Sequence, residues 1–353
     1  MQNPFRAIGR LLRIDGGILD SKQAQIALML GLVVITAGCM GIGDDDGASS
    51  PDAEIESVPA DVDGVMFFDG GIATDQATTE LMDGLLALGD DNLAPDDPES
   101  WDEVLEEAED ESDLDIGEFQ SATVFFQVDD DVDLDAEEEY AGVILESNWE
   151  WDDLVDAAEG EPDEIESDTY NGVDVYFDPA EDDAWIADFG DGTFAAGSEE
   201  AVKDVIDTRA GDADPFSGEL RDAYDGAGDG LMKAAVDISD EDFGGGDELP
   251  EPDIITMIYN TDGSEMNFGM GMTVDSEEEA EQLAEELNAE LEQNPELALF
   301  SGDIEIGNDA DQITFDYSTT PDEIVNMVEI FLGLGQAGGG GEFNSVQSPA
   351  LTG

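Results

Sequence analysis

Apolar residues recur along the chain in two rhythms. Short runs rich in Val, Ile, Phe and Tyr, bounded by Gly, Asp and Asn, predict strands at Val62–Asp69, Ala122–Asp129, Ala141–Glu146, Val173–Phe177, Trp185–Phe189, Leu231–Ile238, Ile254–Tyr259, Asn267–Val274 and Gln312–Tyr317. Runs with apolar residues three and four apart predict helices at Asp75–Leu88, Trp101–Glu109, Asn148–Glu159, Glu199–Thr208, Glu277–Glu292 and Pro321–Leu332.

One stretch of this pattern occurs twice. Gly142-Val143-Ile144-Leu145-Glu146-Ser147 is matched by Gly271-Met272-Thr273-Val274-Asp275-Ser276, 129 residues later. Ser147 with Glu150 and Ser276 with Glu279 both spell the S-x-x-E capping box, which satisfies free amide groups at a helix start. Trp151, Leu154, Val155 and Ala158 then stand at the offsets of Ala280, Leu283, Ala284 and Leu287, one apolar helical face in each copy. The expected fold class is therefore α+β: antiparallel sheets with helices on one face, built from a duplicated strand-strand-helix-strand-strand unit. Val62–Leu88 reads as the remnant of a further half-unit.

The N-terminus carries a different signal. Arg6, Arg10, Arg13 and Lys22 precede an uncharged run, Ile26–Gly38, which ends at Cys39, the single cysteine. Thirteen residues span only about 20 Å as a helix. The hydrocarbon core is about 30 Å thick, so the run fits a signal-peptide core better than a membrane span. The small residues before Cys39 resemble a lipobox, with Thr36 where Leu is usual, and this makes Cys39 the expected lipidation site. Arg10 and Arg13 are separated by two leucines, so a twin-arginine signal is not spelled out and the export route stays open. The expected organisation is a signal peptide at 1–38, an acidic tether at 39–58, an α+β domain with the first repeat copy at 59–240, the second copy at 241–335 and a Gly-rich tail at 336–353.

Charge changes the picture of the solvent. The 353 residues hold 94 Asp and Glu, 8 Lys and Arg and no His. Without residues 1–38 the remainder has 92 acids and 4 bases, Lys203, Arg209, Arg221 and Lys233, for a net charge of −88. A folded chain of roughly 34 kDa exposes about 13,000 Å², which places neighbouring carboxylates near 12 Å apart. The screening length is about 8 Å at physiological salt and about 3 Å at 1 M, so this surface suits brine. With 41% hydrophobic residues the acidity is not that of a disordered chain. Nucleic acid is excluded as a direct partner, because phosphate contacts need clustered Lys and Arg.

The chemistry is sparse. The absence of His removes Ser-His-Asp and Cys-His arrangements, and no P-loop, nucleophile elbow or zincin motif occurs. No cofactor is implied and the chain does not read as an enzyme. Asp129, Asp131, Asp133 and Asp135 alternate as in a calcium loop, a weak candidate metal site; Leu134 stands where the turn needs Gly and Tyr140 where the bidentate Glu belongs. Gly226-Ala227-Gly228-Asp229-Gly230 precedes a strand and reads as a loop. Trp151 lies on the apolar stripe of its helix, so Trp149 is expected to point away from that stripe, either packed on the neighbouring strand pair, the favoured reading, or as a weak candidate for ligand or partner contact. Met266, Met270 and Met272 alternate with Phe268 on a strand and read as core.

Val58-Pro59-Ala60-Asp61, Tyr170-Asn171-Gly172-Val173, Gly190-Asp191-Gly192-Thr193-Phe194 and Gly197-Ser198-Glu199-Glu200-Ala201-Val202 resemble the punctuation of the uncharacterised domain-of-unknown-function family 3352. The resemblance spans residues 58–240 and, with the acidic composition, is to a haloarchaeal secreted lipoprotein. It implies an exported surface protein, anchored through lipid on Cys39 at the outer face of the cytoplasmic membrane, and supplies no catalytic residues. The function expected is non-enzymatic binding or envelope assembly, with an envelope protein or a small solute as partner. The alternative is an extracytoplasmic solute- or cation-binding protein serving a transporter.

Overall fold

Adjacent residues of one strand fix the layering. In β1 (Gly64–Asp69), Val65 and Phe67 belong to one buried cluster, while Phe68 and half-buried Met66 belong to another. A strand sends successive side chains to opposite faces, so the sheet carries a core on each side. The computed structural model describes residues 54–89, 98, 100–112, 114–127, 140–157, 165–177, 185–190, 192–239, 252–274, 276–293 and 303–328.

The other strands are β2 (Phe119–Phe126), β3 (Ala141–Ser147), β4 (Glu166–Tyr170), β5 (Val173–Phe177), β6 (Trp185–Gly190), β7 (Thr193–Gly197), β8 (Met232–Asp237), β9 (Ile254–Asp262), β10 (Glu265–Thr273), β11 (Asp303–Asp309) and β12 (Gln312–Thr319). They form one antiparallel sheet of twelve strands in the order β11-β12-β10-β9-β8-β1-β2-β3-β7-β6-β5-β4. Reading outward from the central β8–β1 pair, one side runs β9-β10-β12-β11 and the other runs β2-β3-β7-β6 before adding β5 and β4. β8 and β9 pair along their length from Met232 opposite Tyr259 to Asp237 opposite Ile254, so residues 59–240 and 241–335 share this sheet.

The helices are α1 (Gln76–Gly89), α2 (Trp101–Ser112), α3 (Trp151–Ala157), α4 (Glu199–Ala210), α5 (Glu219–Gly226) and α6 (Glu277–Gln293), followed by a helical segment at 321–328. They occupy both faces, which corrects the expectation of one. Ala77 and Leu81 of α1, Leu154 of α3 and Ile324 pack with Phe68, Tyr259 and Met266. Met272 and Ile313, cross-strand partners on the same face, pack against Ala280, Leu283 and Ala284 of α6. On the opposite face, Ala201, Val202, Val205 and Ile206 of α4 and Leu220 and Tyr224 of α5 cover Val65, Phe67, Phe125 and Ile144. A strand sequence with apolar residues on both parities, such as Val65-Met66-Phe67-Phe68, requires cover on both sides.

Local signals hold unevenly. Ser276 caps α6, accepting from the Glu279 amide at 3.4 Å and donating to Glu279 Oε2 at 3.0 Å. The matching box at Ser147 does not form. Ser147 is still in β3, its hydroxyl lies 3.4 Å from the Gly192 carbonyl, and the Glu150 amide is held by Asp153 Oδ2 at 2.7 Å instead. Four strands follow α3, where two were expected. β4, β7, β11 and α5 are additional to the predicted elements: β4 is Glu-Ser-Asp-Thr-Tyr on an edge and offers no apolar rhythm to read. Gly226–Gly230 is the turn from α5 into β8, and Gly230 lies close under the β9 backbone, where an added Cβ would come 2.6 Å from the Tyr259 carbonyl.

Candidate functional site

The four cations downstream of Lys22 are all set against aromatic rings. Lys203 Nζ lies 4.8 Å from the Trp185 ring centroid and 5.5 Å from that of Tyr170. The Arg209 guanidinium lies 4.4 Å from Phe189, Arg221 6.0 Å from Phe216, and Lys233 Nζ 4.2 Å from Tyr224. Lys203 and Arg221 also pair with Glu199 and Asp225 one helical turn away. Ring quadrupoles attract cations without adding a second charge, an arrangement less dependent on low salt than surface ion pairing. Four positive groups are thus used within the fold on the α4–α5 face.

Beside them lies a buried polar cluster. Residues 54–62 form a strap across this face: Ile55 and Val58 are buried, Pro59 bridges to Pro215, and the Phe216 amide donates to the Val58 carbonyl at 2.8 Å. The Glu54 side chain, 1% exposed, accepts from Ser121 Oγ and, at 2.8 Å, from Thr123 Oγ1 of β2. Glu146 of β3, opposite Ser121 in the register, brings its charge to the same place. Burial foremost, reinforced by the Glu146 charge, pushes the Glu54 carboxyl up to about 8 against the lowering effect of the two hydroxyls. Arg209 donates to Ser57 Oγ at 3.3 Å and feels Glu146 as its counter-charge, while burial lowers its own affinity for a proton.

Tyrosines of the sheet side hold the acidic flank of α4. The Tyr140 hydroxyl donates to Asp204 Oδ2 at 3.0 Å and Tyr170 to Asp207 Oδ2 at 2.9 Å. Burial raises the Asp204 carboxyl and, with the Asp204 charge, moves Tyr140 far above the usual phenol range. These phenols act as donors. Their task is to hold carboxylates.

The α1 face offers the exposed apolar feature. Cross-strand partners form one continuous row from Val124 through Met66, Ala234, Met257 and Met270 to Phe315. At its centre Met257 and Met270 are 37% and 36% exposed, the exposed large hydrophobics among the described residues. At the β11 edge an open groove of about 530 Å³ is lined by Asn288, Glu305, Thr314 and Asp316 among others. Among the described residues no three carboxylates converge as a metal would require.

The sequence candidates fall as follows. Cys39 and Asp129, Asp131, Asp133 and Asp135 lie outside the described residues, as do the signal, residues 39–53 of the expected tether and the tail; residues 54–58, expected as the end of the tether, belong to the strap instead, because Ile55 and Val58 are buried core residues. Trp149 turns inward rather than outward: it is 5% exposed, donates from Nε1 to the Asp115 carbonyl at 2.8 Å and packs on Phe119. Trp151, at the first turn of α3, stacks on Tyr176 with ring centroids 3.8 Å apart. The reversal follows from where α3 starts, since Trp149 precedes the helix and follows the geometry of the β3 exit. Met266 is buried and Met272 packs under α6, whereas Met270 is exposed. Glu54 was invisible to pattern reading because it sits among the acids of the tether.

No family model matches the chain, and no curated protein matches it. Among solved structures, three crystal forms of TP0453 are similar. Form III has a TM-score of 0.42 at 8% identity over 78% of this chain and 97% of that one. Form IV gives 0.43 at 9% over 78% and 95%, and form I gives 0.42 at 8% over 78% and 96%.

Proposed function

We propose that this chain is a lipid-anchored, halophilic cell-surface protein with a non-enzymatic binding or envelope-assembly role, built by duplication. The exposed Met257–Met270 pair carries the binding half of this reading. On a surface otherwise crowded with carboxylates, two opposed methionines continuing a row of buried and half-buried apolar residues are a contact patch, and methionine adapts to varied partner shapes. The predicted lipid on Cys39 would hold the body at the membrane through fifteen residues up to Glu54, a reach of at most about 50 Å.

Duplication is supported by the strand order. β1-β2-β3-β7-β6 and β8-β9-β10-β12-β11 run outward from the sheet centre in matching succession, each with a helix after its third strand and another after its last. Gly142 and Gly271, which open the repeated hexapeptide, sit on the matching strands β3 and β10. On this reading the unit has three leading strands, β1 with β2 and β3 or β8 with β9 and β10, and the β4–β5 hairpin is an insertion in the first copy.

The anchoring half is tested by mass spectrometry of the N-terminal peptide and by fractionation of Cys39→Ser in high salt. An acylated Cys39 and release of the variant from membranes are expected. An unmodified N-terminus in a membrane-free protein would refute it. For the binding half, crosslinking on intact cells in brine should retrieve an envelope protein at Met257 and Met270; retrieval of a permease alone would favour the solute-binding alternative.

A further inference from the structure

The strap at 54–62 joins the tether to the sheet, and its first described residue is its most deeply engaged polar group. Glu54 reaches a floor made of Ser121 and Thr123 on β2 and Glu146 on β3, with Ile55 and Val58 buried beside it. Two hydroxyls donate to its oxygens, and Glu146 is the residue opposite Ser121 in the β2–β3 register. Burial and a second negative charge nearby both favour the uncharged form of a carboxyl group. The charged groups around this carboxyl are Glu146 of β3 and, from α4, Arg209, which faces Glu146 and Ser57 and stacks on Phe189 of β6. Asp69 of β1, opposite Ser121 in the register, is turned to its own task at the Gly71 amide. Arg209 thus sets its charge against Glu146, while burial foremost, and the Glu146 charge with it, favours the uncharged form of Glu54.

We propose that residues 54–62 form a proton-linked latch, seated with Glu54 uncharged against Ser121, Thr123 and Glu146, whose lifting frees the root of the tether from the sheet. The direction follows from linkage. A lifted strap exposes Glu54 to water, where it ionises as an ordinary carboxyl near pH 4.5, whereas the seated form holds its proton to about pH 8. The seated strap therefore binds one more proton between those limits. Lifting becomes easier as pH rises through that window and gains nothing further above it. Lifting nine residues adds roughly 30 Å of slack to the connection. The consequence for distance from the membrane rests on the proposed lipid anchor; the latch itself does not.

The test is amide hydrogen exchange on the full chain in 3 M KCl, read as protection factors for peptides covering 54–62 and compared with peptides of α4. Protection of the strap should fall at least tenfold between pH 6 and pH 8 and level off above that, with α4 changing less. Glu54→Gln, which keeps shape and can donate to Glu146, should hold protection constant across the same range. Strap protection independent of pH in the native chain would overturn the latch, as would an unchanged pH dependence in Glu54→Gln. Infrared spectra of the native chain at pH 6.5 provide a check that needs no variant. Ordinary carboxylates are ionised there, so a protonated-carboxyl band is expected, and its absence would overturn the proposal. None of these readings depends on whether Cys39 is acylated, so failure of the anchor leaves the latch testable and the reverse.

Discussion

Lys233 Nζ stands 4.2 Å from the centroid of the Tyr224 ring, between β8 and α5, with the lysine only 6% exposed. A lysine in the core of an acidic protein is held here by a ring as well as by burial of its stem. A double-mutant cycle of Lys233→Met and Tyr224→Leu should give a coupling of about 1–2 kcal/mol in thermal unfolding, in the range of desolvated cation–ring pairs. The coupling should persist in 3 M KCl because water and ions do not enter the contact. The half-exposed Arg221–Asp225 pair should give about 0.5 kcal/mol or less under the same conditions. A coupling that vanishes in high salt would show that the lysine acts through exposed charge.

With its downstream cations committed to rings and adjacent helical acids, the rest of the surface is left anionic. Self-repulsion should then loosen the fold when screening is removed. Circular dichroism at 0.1 M KCl should show lost ellipticity and a lower melting temperature than at 3 M KCl. Identical melts in the two solutions would refute halophilic adaptation as the reason for the composition.

The repeated glycines have a steric explanation that spacing could not reveal. A Cβ on Gly142 would come 2.3 Å from Cζ of Phe125, its cross-strand partner on β2, and one on Gly271 would meet Thr256 Oγ1 at 2.4 Å and Gln312 Nε2 at 2.5 Å. Gly142→Ala should cost about 1–3 kcal/mol, because a fully buried ring must leave its place. Gly271→Ala should cost less, since Gln312 can swing aside and the Thr256 hydroxyl can be turned away by rotation about χ1, with no ring displaced. Thermal melts of the two variants in 3 M KCl check the order; equal losses would mean that the ring over Gly142 is not what selects glycine.

What was legible followed from apolar rhythm. The strands around Phe67, Phe125, Ile144 and Ile254 and all six predicted helices are present, because each carries an uninterrupted apolar stripe. β4 was not legible, since an exposed edge strand of Glu166, Ser167 and Asp168 packs against nothing that would demand apolar residues. The two-sided cover was written in Val65-Met66-Phe67-Phe68 but requires counting faces rather than strands. Trp149 was misread because its direction depends on the helix starting at Trp151, a boundary that the S-x-x-E pattern placed too early. Glu54 illustrates the harder limit: in a chain of 94 acids, a carboxyl that burial pushes up to about 8 is identified only by what surrounds it.

Met257 and Met270 allow the binding surface to be separated from the fold. They face each other across β9 and β10, both over a third exposed, and flank buried Ala234 and half-buried Phe315 in the same row. Exposed methionines contribute little to the core, so Met257→Gln with Met270→Gln should change stability by less than about 1 kcal/mol. The same pair of substitutions removes the apolar centre of the patch while keeping its length and shape. If the patch is where an envelope partner docks, the double variant should reach the membrane at native levels yet lose most of the crosslinked partner, by tenfold or more in quantitative mass spectrometry. Undiminished crosslinking by a folded double variant would assign binding to another surface, the groove by Glu305 and Asp316 being next in line.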